Sequence, residues 1–291
     1  MRYQGPIYRP PSEADSLLIQ ATVGCPHNKC TFCMVYKQGP SYLVRKAQDI
    51  VQDLEQAREV YGSSVRSIFF PAGNSIAMPS RNLALICEEA RRIFPEVERI
   101  TVYGSAQFIR NKGLQNLRRL RQAGLSRIHV GLESGNDQVL DWVHKGSDRQ
   151  TQIQAGQMLK QAGIQNSSYV VLGLGGKGWS RQHALDTATA LNQIQPEYLR
   201  LRTLLPKVNT ELLSQIQKGE FQLLSPHEVL QETRLLISQL ECSCKLRSDH
   251  YTNYLNLEGE LPRDRESLLQ EIDQALELDE SCFRPIFVGT Q

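Results

Sequence analysis

The sequence predicts an α/β protein built on a parallel sheet, doubly wound or curled into a barrel, and three observations predict it. Six short runs rich in β-branched and aromatic residues recur between residues 16 and 205. Amphipathic segments with helical spacing separate them, so that strand follows strand at intervals of about 30 residues, the rhythm of right-handed βαβ units. Several helical segments also close on a glycine, the residue best suited to the left-handed conformation past a helix C-terminus. The joint in RRLRQAGLSRIHVGL is repeated in QMLKQAGIQNSSYVVLG.

In chain order the strands are read at 16–23 (SLLIQATV), 67–73 (SIFFPAG), 99–105 (RITVYGS), 127–134 (RIHVGLES), 167–176 (SSYVVLGLGG) and 197–205 (EYLRLRTLL). The helices between them are read at 45–62, 79–94, 111–124, 149–163 and 180–194. Beyond Leu205 the pattern becomes mainly helical, at 209–221, 225–240 and 262–278, with a polar stretch at 245–261. Residues 1–205 therefore form the core. Residues 206–291 read as a C-terminal extension that closes over it rather than an independent domain.

With 291 residues, 40% of them hydrophobic, the chain holds enough apolar material for one large or two small domains. A net charge of +2 without any Lys/Arg block does not suggest a non-specific nucleic-acid binder and leaves room only for a local basic patch. No run approaches the roughly 20 apolar residues of a membrane span, and the start MRYQGPIYRPPSEADS lacks an apolar leader, so a cytoplasmic location is expected. Seven cysteines in a reducing compartment point to metal binding or catalysis rather than disulfides. Cys87, Cys242, Cys244 and Cys282 read as ordinary thiols.

The other three are clustered. In GCPHNKCTFC, four residues separate Cys25 from Cys30 and two separate Cys30 from Cys33. The loop follows the first strand, at the carboxyl edge where parallel α/β folds build their sites. Zinc, with His27 as fourth ligand, is one reading, but the distant second pair typical of structural zinc sites is missing. A [4Fe–4S] cluster is the other: three thiolates leave one iron open to a small molecule.

This loop resembles the signature of the radical SAM superfamily, in which an aromatic precedes the last cysteine, the place Phe32 holds. The first spacing is one residue wider than usual. FFPAGNS resembles the Gly-rich turn that approaches the amino group of S-adenosylmethionine, which implies Gly73 and Asn74 as contacts. HVGLESGNDQVL resembles the fourth-strand segment of the elongator-type and methylthiotransferase branch, which implies Glu133 and Ser134 near the ribose and methionine moiety.

Strand alternation puts His129 on the face of Glu133, which makes His129 a candidate substrate contact. Lys145 is placed to reach an anionic group. In EYLRLRTLL, Leu199 and Leu201 should face helices and Arg200 and Arg202 the opposite side, where buried guanidiniums need a carboxylate from cofactor or substrate. The glycines of VVLGLGGKG are read as backbone support for adenine or as a plain turn.

The resemblance covers about residues 16–205 and implies a partial (βα)6 TIM-like barrel with a mainly helical C-terminal extension. It also implies cleavage of S-adenosylmethionine to a 5′-deoxyadenosyl radical, and a low-potential electron donor such as flavodoxin or ferredoxin. The polar stretch holding Arg247, Asp249, His250, Asn253 and Tyr254 is expected to be a lid, with His129, Arg247 and His250 the candidates for catalysis. A single cluster and a small-molecule substrate are expected, since no appended RNA-binding, cobalamin-binding or acetyltransferase domain is recognisable. Modification of RNA or protein is the alternative, and a non-catalytic iron–sulfur or zinc module the reading from another class.

Overall fold

Strands and helices alternate as the pattern predicts in the computed structural model, which describes residues 1–5 and 7–289. The chain divides into two compact units, the first comprising residues 1–28, 35–130 and 158–166 and the second residues 29–34, 131–157 and 167 onward.

In the first unit, β1 (Leu17–Leu18), β4 (Ser67–Phe70), β5 (Arg99–Gly104) and the larger part of β6 (Leu125–Glu133) lie side by side and parallel. The run expected as one strand at 16–23 is divided. Its end, β2 (Thr22–Val23), pairs antiparallel with β3 (Leu43–Val44) and closes the intervening loop at its base. Helices α1 (Ala47–Tyr61), α2 (Ser80–Ile93) and α3 (Ala106–Ala123) carry the predicted apolar faces. Ile50, Leu54, Leu83, Ile86, Leu117 and Leu120 are fully buried, as are the strand residues Ile68, Phe69, Phe70 and Val102. Helix α3 starts five residues earlier than expected and is broken at Gly113, whose φ of 77° no helix accommodates.

The second unit takes the last residues of β6, α4 (Asp137–Trp142) and most of α5 (Arg149–Ala162). It continues through the larger part of β7 (Gln165–Leu172), α6 (Gly176–Ile194) and β8 (Tyr198–Thr203), then α7 (Glu211–Gln217) and α8 (Pro226–Ser238). The chain ends with β9 (Cys244–Arg247), β10 (Glu258–Leu261) and α9 (Arg265–Leu276). Strand β8 is parallel to β7 and β9, whereas β10 returns antiparallel to β9.

The extension is thus not wholly helical: the stretch 245–261 supplies strands. Cys244 and Leu246 are buried while Lys245 is exposed, a period-two pattern too short to be legible among so many polar residues. Among the described residues, no helix is long and apolar enough to cross a membrane.

Candidate functional site

In the second unit, Cys30 and Cys33 sit at the two ends of a turn, the Cys33 N–H donating to the Cys30 carbonyl at 3.3 Å. Two further backbone bonds hold that turn. Thr31 N–H donates to the Val143 carbonyl at 3.0 Å, and Leu212 N–H donates to the Thr31 carbonyl at 3.1 Å. Phe32, between the two cysteines, packs into an apolar cluster with Trp142, Val143, Leu212 and Phe221. An aromatic at this position anchors the turn, so both thiols remain partly exposed.

Lys145 follows α4 and reaches back toward these residues. Its ammonium is buried and donates to Glu133 Oε1 at 2.9 Å. Burial alone would drive Lys145 down, but the charges of Glu133, Cys30 and Cys33 outweigh it and hold the ammonium above its ordinary value. A cation beside two cysteines suits a centre whose ligands are thiolates. Glu133 ends β6 in the left-handed region, φ 64°, which turns its carboxylate back along its own strand. A Cβ on Gly131 would lie 2.3 Å from Glu133 Oε1 and 2.9 Å from Lys145 Nζ, so the ion pair as it stands fills the space that a side chain at 131 would take.

Ser134 is fully buried, its hydroxyl 2.8 Å from His183 Nδ1 and accepting from the Asn136 N–H. His183 in turn lies 3.6 Å from Glu232, which accepts from the Gly173 N–H and the Ser180 hydroxyl. Burial raises the Glu232 carboxyl, against the lowering effect of His183. The Gly-rich turn after β7 is therefore held by a buried carboxylate from α8. Partners some 50 residues apart in sequence left no local signal for this network.

In the first unit, Cys25 stands beside the turn after β4. Gly73 N–H donates to the Gly24 carbonyl at 3.2 Å, and a Cβ on Gly73 would meet Cys25 Cβ at 2.8 Å and Tyr36 Cε2 at 2.6 Å. The missing Cβ at Gly73 thus leaves room for the first cysteine and for the Tyr36 ring. Burial, with the charge of Cys25, pushes the Tyr42 phenol up to about 12. Asn74 is buried and donates to the Ser105 hydroxyl at 2.8 Å, leaving its Oδ1 with no hydrogen-bond partner among the described residues. By contrast Cys87 is sealed in α2, where burial pushes its thiol far up, and Cys242 and Cys244 are buried with their sulfurs 3.8 Å apart. Among the described residues, no three or more His, Cys, Asp or Glu side chains are gathered as for a single metal ion.

His129 departs from its expected role. It is fully buried, edge-on to Phe69 at 5.9 Å between ring centroids, with Nε2 3.0 Å from the Glu13 carboxylate. A nearby chain segment with a carboxylate claimed this imidazole as a core partner. Arg247 is ion-paired with Glu258, its cross-strand neighbour on β10. Strand β8 agrees with its alternation, since Leu199 and Leu201 join the apolar cluster with α6 and α8 residues while Arg202 stacks over Tyr169, 4.9 Å from the ring centroid.

A model of the Radical SAM superfamily matches residues 19–191. An uncharacterized protein of Methanocaldococcus jannaschii is 24% identical over 217 residues, covering 72% of this chain and 66% of that protein. A radical S-adenosylmethionine methyltransferase from Kitasatospora setae, solved with cobalamin and a [4Fe–4S] cluster bound, has a TM-score of 0.58 at 15% identity, covering 70% of this chain and 39% of that one. Elp3 from Methanocaldococcus infernus has a TM-score of 0.56 at 13% identity, covering 93% of this chain and 64% of that one. At such identities the two structures establish the fold alone. The chain spans no more than 66% of the length of any of these three proteins.

Proposed function

The chain belongs to the radical SAM superfamily, and from that premise we propose that Cys25, Cys30 and Cys33 ligate its [4Fe–4S] cluster and that the enzyme acts by hydrogen abstraction on a small molecule. The observation that carries the assignment is the Cys30–Cys33 turn, anchored by Phe32 and faced by the buried Lys145 ammonium. When bound, the cluster and S-adenosylmethionine supply reductive cleavage to a 5′-deoxyadenosyl radical that removes hydrogen from the substrate.

The chain's own residues bind, orient and exclude water. Lys145 offsets the negative charge of the thiolates, and Glu133 keeps it aimed there. Gly73 lets the turn after β4 approach Cys25, and the open carbonyl of the Asn74 side chain is an acceptor for the cofactor's ammonium. Ser134 acts one layer behind, fixing the end of β6 through His183. The extension from 206 onward is the selector of substrate, and a low-potential ferredoxin or flavodoxin is the class of electron donor.

The test is anaerobic reconstitution followed by electron paramagnetic resonance of the reduced protein with and without S-adenosylmethionine, and an assay for 5′-deoxyadenosine. A spectral change on adding S-adenosylmethionine, with 5′-deoxyadenosine formed and both lost in Cys30→Ala, is expected. A cluster indifferent to S-adenosylmethionine would reject the proposal.

A further inference from the structure

Strand β8 carries two guanidiniums on one face, and no carboxylate among the described residues pairs with either. Arg200 is only 7% exposed, and its Nε donates at 3.3 Å to a neutral group, the Ser167 hydroxyl. Arg202 lies over the Tyr169 ring and makes no ion pair within the described residues. A buried cation left with neutral partners is a costly arrangement for a fold to keep unless an anion arrives to pair with it.

The surroundings add to the excess. Lys207, just beyond β8, places its ammonium 3.3 Å from the Tyr251 hydroxyl. Burial and the charges of Arg202 and Lys207 push His250 down to about 4, against Asp249, so His250 adds a neutral imidazole to the rim. The rim is also built rather than incidental. Asn253 accepts from the Thr203 N–H at 2.7 Å and donates to the Leu201 carbonyl at 2.9 Å and to the Ser248 hydroxyl at 2.8 Å, tying the loop 248–254 to β8. His250 Nδ1 and Thr252 Oγ1 are 2.8 Å apart within that loop.

We propose that Arg200 and Arg202 form the seat of an oxyanion, a carboxylate or phosphate carried by the substrate, with Lys207 and His250 at its rim. Planar guanidiniums on one strand face suit bidentate pairing with such a group. Two molecules could bring it, the substrate or the carboxylate of S-adenosylmethionine. The substrate is favoured because the rim comes from the 248–254 loop of the C-terminal extension, which Asn253 ties to β8, the part of the chain assigned above to substrate selection. Only the word substrate rests on the radical SAM reading; the seat itself does not.

The reconstituted protein would be titrated calorimetrically with inorganic phosphate and with succinate, using chloride at matched ionic strength as the blank. Saturable binding is expected, weakened about tenfold or more in Arg202→Gln and partly restored in Arg202→Lys, as befits a charge-assisted contact. The exposed surface change Lys218→Gln serves as the control for bulk charge and should bind like the parent. Equilibrium dialysis of S-adenosylmethionine against the same variants separates the two sources. A parallel loss of S-adenosylmethionine affinity in Arg202→Gln would reassign the seat to the cofactor and overturn the proposal. Anion binding that is absent, or indifferent to Arg202, would overturn it as well, whether or not the enzyme cleaves S-adenosylmethionine.

Discussion

Glycine at 131 leaves open the space in which one ion pair of the site is made. Glu133 and Lys145 occupy the space that a side chain there would fill, and the pair they make is 8% exposed at the lysine and 15% at the glutamate. Removing one member of a buried pair strands the other, so Lys145→Met should cost about 3 kcal/mol in urea unfolding, and the double change with Glu133→Gln less than the sum of the two singles. Glu13 offers a second residue-level test. Burial alone would raise its carboxyl, yet hydrogen bonds from His129 and Ser16, with the charges of His129 and Arg99, lower it to about 2 from an ordinary 4.5. A carboxyl depressed in the folded state stabilises the protein fully above its unfolded pKa, and the contribution disappears as pH falls through the folded value. About 3 kcal/mol should therefore be lost between about pH 5 and about pH 2. Glu13→Gln should flatten that part of the pH profile of the urea midpoint; an unchanged slope would show that other carboxyls govern it.

At the scale of elements, close packing decides where small residues stand. Gly156 lies inside α5, where alanine would ordinarily gain about 1 kcal/mol of helix propensity. Here its Cβ would meet Ile194 Cγ2 of α6 at 2.6 Å. Overpacking costs about 1–3 kcal/mol, so Gly156→Ala should lower the melting temperature, whereas the paired change with Ile194→Val should recover part of the loss. Helix α8 shows the converse, an element declared by its own residues. Ser225 and Glu228 complete a reciprocal cap that the sequence SPHE spells out. The strands β9 and β10 had no such local sign, because their pattern depends on β8 offering an edge and on α8 and α9 covering one face.

At the scale of the whole molecule, six βα strands, the helices between them and the cysteine loop were legible, since each rests on spacing within a short window. Glycines past α1, α3 and α5 stand in the left-handed region, as the joints implied. The alternation of β8 was likewise readable from its own residues. His129, Arg247 and Ser134 were not, because their partners Glu13, Glu258 and His183 are separated from them by 116, 11 and 49 positions. The sequence by itself determined the alternation of the six core strands with their helices and the family, because periodicity and motif spacing are local. Only the tertiary structure decided which polar side chains pair with one another and which, like Arg200 and Arg202, have only neutral partners among the described residues. That decision depends on distance and burial, which residues remote in the chain set for each other.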